Sequence, residues 1–160
     1  MYSVDERDRV VELEGVPQSS VGAPMPLVLS NEFKVLLVYI VQEIVDPGTP
    51  HEPFALVEFT GYSTYMFGAP NDEAFHGHPL AARGLRPYGA FQIENSSWIR
   101  QLEKMNSVHH SHNPKRFERL RHYVFSFHDS TFECVAKDFT ISTHEGSPEG
   151  MLPIMQSRLQ

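Results

Sequence analysis

The sequence predicts a β-rich α+β domain, in which a mainly antiparallel sheet is covered by two or three short helices. Three observations lead there. Runs rich in Val, Ile, Phe and Tyr recur near 33–45, 54–59, 64–68, 88–94, 122–128 and 131–141, each bounded by Gly, Pro, Asn, Asp or Ser. The stretch 122–141 alternates in a way that suits a hairpin with one buried face. Between 71 and 121, helix caps and helix-period apolar residues appear instead. With 160 residues, of which 41% are hydrophobic, the chain is sized for one domain with its own core.

Taken in order, residues 1–26 read as an N-terminal tail and connector. A short strand at Val10–Glu14 precedes "GVPQSSVGAPMP", where the prolines oppose helix and ladder pairing alike. The globular part is expected over 27–145. Its most apolar segment, 33–45, also fits helical spacing through Phe33, Leu36, Leu37, Ile40, Val41 and Ile44. Its β-branched content and two apolar faces favour a central strand, closed by a turn at Asp46-Pro47-Gly48. "PFALVEFTGYSTYMFG" reads as a hairpin turning at Gly61-Tyr62.

Asn71 as cap, Asp72 and Glu73 in a first turn, His76 in a last turn, Gly77 at the left-handed position and Pro79 beyond it mark a short helix. A strand over 88–94 leads to a helix over 97–105, capped by Asn95 or Ser96. Trp98, Leu102 and Met105 form its apolar stripe, with Ile99 beside them. Asn113 and Pro114 start another helix, with Phe117 and Leu120 as its buried pair. In the hairpin, a turn at Asp129-Ser130 sets Phe127 against Phe132, Phe125 against Cys134 and Tyr123 against Ala136 on the core face. It sets His128 against Thr131 and Ser126 against Glu133 on the wetter face. Residues 146–160 read as a C-terminal tail that ends loosely or docks Leu152 and Ile154 on a neighbour.

Composition narrows the function. The single cysteine, Cys134, excludes an intramolecular disulfide and a paired-cysteine zinc site, and is compatible with a reducing compartment. "MYSVDERDRVVELEG" lacks the apolar core of a secretory signal, and "VLLVYIV" is too short to span a bilayer, so a soluble cytoplasmic protein with no membrane partner is expected. A net charge of −7 argues against a general nucleic-acid binder. The charge is uneven, however. Eight Lys/Arg against three acids make the band 83–122 net +5, which leaves −12 for the remainder. Such a band serves an anionic partner, or faces the protein's own acids within one chain or in a homo-oligomer.

The sharpest local feature is "NPKRF". Lys115 and Arg116 stand in the first turn of the expected helix, where exposed N–H groups already carry partial positive charge. An anion there would relieve the conflict, drawing on Lys115, Arg116 and Arg119 with His109, His110 and His112 from the preceding connector. The histidines also suggest a rival, a metal held by His76, His78, His110 and His112, although their spacing matches no specific zinc signature. Cys134 falls on the core face away from His128, which rejects a Cys-His nucleophile pair, and no Gly-x-Ser-x-Gly, phosphate-loop or dinucleotide fingerprint is present. The expected function is therefore a non-catalytic binding or interaction protein that needs no cofactor. Its basic band would contact an acidic protein partner or a small anion. The alternative is a histidine-ligated metal-dependent enzyme.

Overall fold

The computed structural model describes residues 2–42 and 52–160. It is a β-rich α+β fold of two antiparallel sheets. The five-stranded sheet has the order β1-β6-β7-β8-β5, and the four-stranded sheet the order β2-β3-β4-β9. The strands are β1 (Arg9–Glu12), β2 (Leu27–Ser30), β3 (Val35–Ile40), β4 (Glu52–Thr60), β5 (Thr64–Gly68), β6 (Gly89–Glu94), β7 (Arg121–Ser126), β8 (Thr131–Ala136) and β9 (Asp138–Gly146). Two helices, α1 (Ser97–Asn106) and α2 (Pro148–Leu159), and short 3-10 turns at 75–77, 81–83 and 114–119 complete the chain.

The sheets pack face to face. Leu37, Tyr39, Val57 and Phe59 on one side meet Tyr123, Phe125, Phe132 and Cys134 on the other, all buried. Phe59 anchors this layer, with its ring 5.9 Å from Phe125 and 5.4 Å from Phe132. Each sheet is covered on its outer face as well. Met151 and Met155 of α2 close over Leu36, Val38, Phe54 and Leu56. Trp98 of α1, with Tyr2, Phe75, Leu80 and Leu85, closes over Phe91, Ile93, Val124 and Val135. All six residues of β3 are buried, so a strand apolar on both faces is what this position requires, and the segment is a strand rather than a helix. Residues 43–45 of that expected strand, and the expected turn at Asp46-Pro47-Gly48, lie outside the described residues.

Several expectations are corrected by this layering. Residues 54–68 are not a hairpin: β4 pairs with β3 and β9, whereas β5 pairs with β8 in the other sheet. Gly61, at φ +57°, turns the chain between sheets, and a Cβ there would meet the Lys137 stem at 2.8 Å. The expected strand 131–141 likewise breaks after Ala136, and β9 joins the second sheet. Asn71 does accept a backbone N–H, from Ala74 at 3.0 Å, but only the 3-10 turn Phe75–Gly77 follows; the left-handed glycine is Gly84 rather than Gly77. The helix expected after Asn113 is a six-residue 3-10 turn. Helix α1 is capped by Ser96, whose Oγ accepts the Ile99 N–H at 3.3 Å, yet Met105 stands 68% exposed. The C-terminal segment forms α2 and docks chiefly through Met151 and Met155, with Leu152 exposed.

The hairpin β7–β8 keeps the expected faces but not the expected register. Phe125 opposes Phe132 and Tyr123 opposes Cys134, a shift of two residues that leaves 127–130 as a longer loop. A two-residue shift preserves the side-chain alternation, so Phe125, Phe127, Phe132 and Cys134 still share one buried cluster. Burial pushes the Cys134 thiol well above its ordinary pKa, which suppresses the reactive thiolate. Phe125→Ala should therefore cost about 3–5 kcal/mol in urea unfolding. Cys134 should resist thiol reagents until the protein unfolds, and rapid native labelling would contradict this packing.

Candidate functional site

Glu133 is the largest departure from the sequence reading. It was expected on the wetter face and is instead buried, because α1, the N-terminal segment and the 3-10 turns cover that face. Its carboxylate collects three side-chain donors. His78 Nε2 lies 2.6 Å from Oε1; His122 Nε2 and the Tyr2 hydroxyl lie 2.8 and 2.6 Å from Oε2. The tautomer of His78 follows from its other nitrogen, where Nδ1 accepts the Leu80 N–H at 3.1 Å, so the proton sits on Nε2 and is donated to Glu133. Ser96, the α1 cap, reaches His122 Nδ1 at 2.9 Å. Tyr2 stacks on Trp98 with centroids 5.3 Å apart and meets His122 edge-on.

Burial opposes the charge on Glu133, but the hydrogen bonds from His122 and His78 outweigh it and hold the pKa at about 2, below the ordinary 4.5. Burial, reinforced by the adjacent Glu133 charge, raises the Tyr2 hydroxyl far above its ordinary value. This cluster is buried and ties five segments together.

The N-terminal segment also accounts for part of the basic band. Asp5 receives Arg100 in a bidentate pair at 2.7 and 2.8 Å and also pairs with Arg7, and these guanidinium groups hold its carboxyl well below the usual range. Buried Asp8 accepts the Ser97 N–H at 2.6 Å and the Ser97 hydroxyl, placing negative charge at the start of α1. Arg83 donates to the Asp8 carbonyl, Arg86 pairs with Glu12, and Arg121 donates to the Glu118 and Leu120 carbonyls. Half of the band is thus satisfied by the chain itself.

The other half projects outward. Lys104, Lys115, Arg116 and Arg119 are exposed, and their side chains have no hydrogen-bond or ion-pair partner among the described residues. They lie on the excursion formed by α1, its connector and the 114–119 turn, which pack on one another. His109 and His110, both exposed, stack with centroids 4.5 Å apart, while His112 is held by Glu103 at 2.7 Å and Asn106 at 2.9 Å. Met105 and Val108, 68% and 92% exposed, stand in the same segment. The Lys115 N–H is already taken by Asn113 Oδ1 at 3.1 Å, and a 3-10 turn this short offers no set of free converging N–H groups. A cleft of about 700 Å3 between α1 and this turn holds Arg7, Arg100 and Arg121, but equally Glu94, Glu103 and Glu118.

The histidines of the metal alternative are not assembled. His78 is buried with both ring nitrogens engaged, His112 is engaged likewise, and His76 and His110 are exposed. Among the described residues, no three His, Cys, Asp or Glu side chains are arranged to hold a metal ion. A smaller polar group was also missed: Tyr88, at φ +61°, directs its hydroxyl to Asp72 and to His128 Nδ1 (2.9 Å), and the hydrogen bond to Asp72, with partial desolvation, raises its pKa to about 12. Nothing in the sequence signals a left-handed tyrosine at this position.

Among the described residues, no helix is long and apolar enough to cross a membrane. No family model, curated protein or solved structure matches the chain.

The buried cluster yields a direct prediction. Glu133→Gln exchanges an acceptor oxygen for an N–H group facing imidazole donors, so it should cost about 3–5 kcal/mol. Because the folded pKa is depressed, ionised Glu133 contributes stability in full above about pH 4.5, and that contribution is lost as the pH falls toward about 2. Denaturant melts across this window should show the acid loss in the parent protein and a shallower one in Glu133→Gln. Parallel curves would place the acid dependence elsewhere.

Proposed function

We propose that this is a non-catalytic interaction protein whose cationic excursion, 104–119, engages an acidic protein partner. The observation that carries this reading is the division of the basic band. Arg83, Arg86, Arg100 and Arg121 are held by the chain itself, whereas Lys104, Lys115, Arg116 and Arg119 point outward with no partner among the described residues. Exposed single cations need no special explanation, but four within sixteen residues, beside exposed Met105 and Val108, form a mixed cationic and apolar surface. That composition suits a protein segment better than a small anion, which needs several donors converging on one point. The Lys115 N–H is occupied, and the nearby cleft carries as many glutamates as arginines.

Association through such a surface is steered by charge, so it weakens as salt rises. Poly-L-glutamate is a suitable first probe. The parent protein should bind it with an affinity that falls steeply with added salt. Joint replacement Lys115→Glu and Arg116→Glu should remove most of that binding and leave the melting temperature nearly unchanged, since both side chains are exposed. Equal binding by parent and double variant would overturn the proposal.

A further inference from the structure

Helix α1 and the 114–119 turn pack on one another and leave the cleft of about 700 Å3 between them. Its walls follow from two periodicities. On the α1 side, the cap Ser96 and then Ile99, Arg100 and Glu103 fall on one helix face and line it. On the other side, the three-residue period of a 3-10 turn brings Pro114, Phe117 and Leu120 together, and all three line it too. Ile99, Phe117 and Leu120 are only half-buried, so apolar surface remains uncovered in the cleft. Most charges of the lining are already engaged: Arg7 and Arg100 hold Asp5, Glu94 holds Arg9, and Glu103 holds His112. The side-chain amides of Gln92 and Asn95, which also line it, have no hydrogen-bond partner among the described residues. The four outward cations stand at the margin. Lys104 adjoins Glu103 in the chain, Lys115 adjoins Pro114, Arg116 adjoins Phe117, and Arg119 lies between Glu118 and Leu120. Each is thus one residue, about 3.8 Å along the Cα trace, from the wall, yet none of the four lines the cleft itself.

We propose that this cleft takes one large apolar side chain, presented between acidic residues by a partner peptide. The proposal rests on the reading of 104–119 as a partner surface and names the anchor for it. Charge complementarity selects the occupant. A wholly apolar ligand would leave the four marginal cations unmatched. A wholly acidic one would meet a lining as rich in glutamate as in arginine. An acidic segment with one apolar residue suits both parts. Its carboxylates stay at the margin, opposite Lys104, Lys115, Arg116 and Arg119, and its apolar group passes between them to Ile99, Phe117 and Leu120. The volume agrees, since clefts of roughly 300–1,000 Å3 enclose small ligands and an aromatic side chain buries about 150–250 Å2. The amides of Gln92 and Asn95 can both donate to and accept from the entering peptide backbone. An apolar side chain seated in a pocket and ringed by polar contacts is the arrangement that carries most of the energy in many interfaces.

Two capped peptides of equal length and charge test this by titration calorimetry with the full chain. Glutamates flank a central Trp in one and a central Ala in the other. The parent protein should bind the Trp peptide about tenfold more tightly or better. Added salt should weaken both and leave their ratio nearly unchanged, because screening acts on the charges and not on the anchor. Joint replacement Lys115→Glu and Arg116→Glu should weaken both peptides by a similar factor. Phe117→Ala should instead remove most of the Trp preference and leave the Ala peptide unaffected. Phe117 is half-buried and belongs to none of the buried clusters, so its truncation leaves the fold in place. A check free of any variant is backbone-amide NMR of the parent chain, where the Trp peptide but not the Ala peptide should shift the signals of Ile99, Phe117 and Leu120. Equal binding of the two peptides overturns the anchor and leaves the cationic surface standing, whereas binding of neither overturns both. A Trp preference whose shifts fall elsewhere in the chain, or that survives Phe117→Ala in full, places the anchor outside this cleft and also overturns the inference.

Discussion

A carboxylate placed in the middle of a sheet, under a helix, must be met by donors or it will not stay ionised. Glu133 meets that demand with His78, His122 and Tyr2, and each donor comes from a different part of the chain. Much of one side of the molecule depends on this. Tyr2 fixes the start of the chain, His78 fixes the segment between β5 and β6, and His122 links β7 to Ser96 at the head of α1. Removing any one donor leaves a buried charge less well compensated, so these segments are coupled through a single side chain. The apolar cover formed by Trp98, Phe75 and Leu80 then excludes water from the same region and strengthens each bond in it.

The same N-terminal segment sorts the protein's charges. Its acids, Asp5, Asp8 and Glu12, take up arginines that the sequence alone leaves grouped with the rest of the basic band. Asp8 is especially economical, since it serves the start of α1 and lies 3.7 Å from Arg100 at once. What remains outward on 104–119 is a smaller and more definite cationic surface than the band as a whole. Electrostatics thus divides one run of sequence into a half satisfied by the chain itself, in which Arg83, Arg86 and Arg100 hold the N-terminal segment to the body, and a half that projects outward.

The fold class was legible because burial patterns repeat locally. The strands β3, β6, β7 and β8 follow from β-branched and aromatic runs, and Ser96 and Asn113 act as caps as their side chains suggest. Local signals failed where the deciding contacts are distant in sequence. Gly61 reads as a hairpin turn, yet β4 and β5 find partners in β9 and β8, 78 to 94 and 63 to 71 residues on. Glu133 sits at a position whose alternation matches a solvated face, and only the docking of Tyr2 and α1 makes that face an interior one. His78 belonged visibly to a histidine cluster, but its partner is a glutamate 55 residues away, which spacing rules do not detect. The cationic surface was half legible: the residues were visible as a run of charge, and the ion pairs that subtract from it were not.

The central claim is that both imidazoles donate from Nε2 to a buried, ionised Glu133. Nitrogen-15 correlated NMR of the histidine rings at neutral pH measures this directly, because it identifies which ring nitrogen bears the proton and how fast that proton exchanges with water. The account predicts Nε2–H protons on His78 and His122 that are shifted downfield and exchange slowly, with His78 Nδ1 unprotonated. A proton on Nδ1 of His78, or rapid exchange at both Nε2 positions, would contradict it.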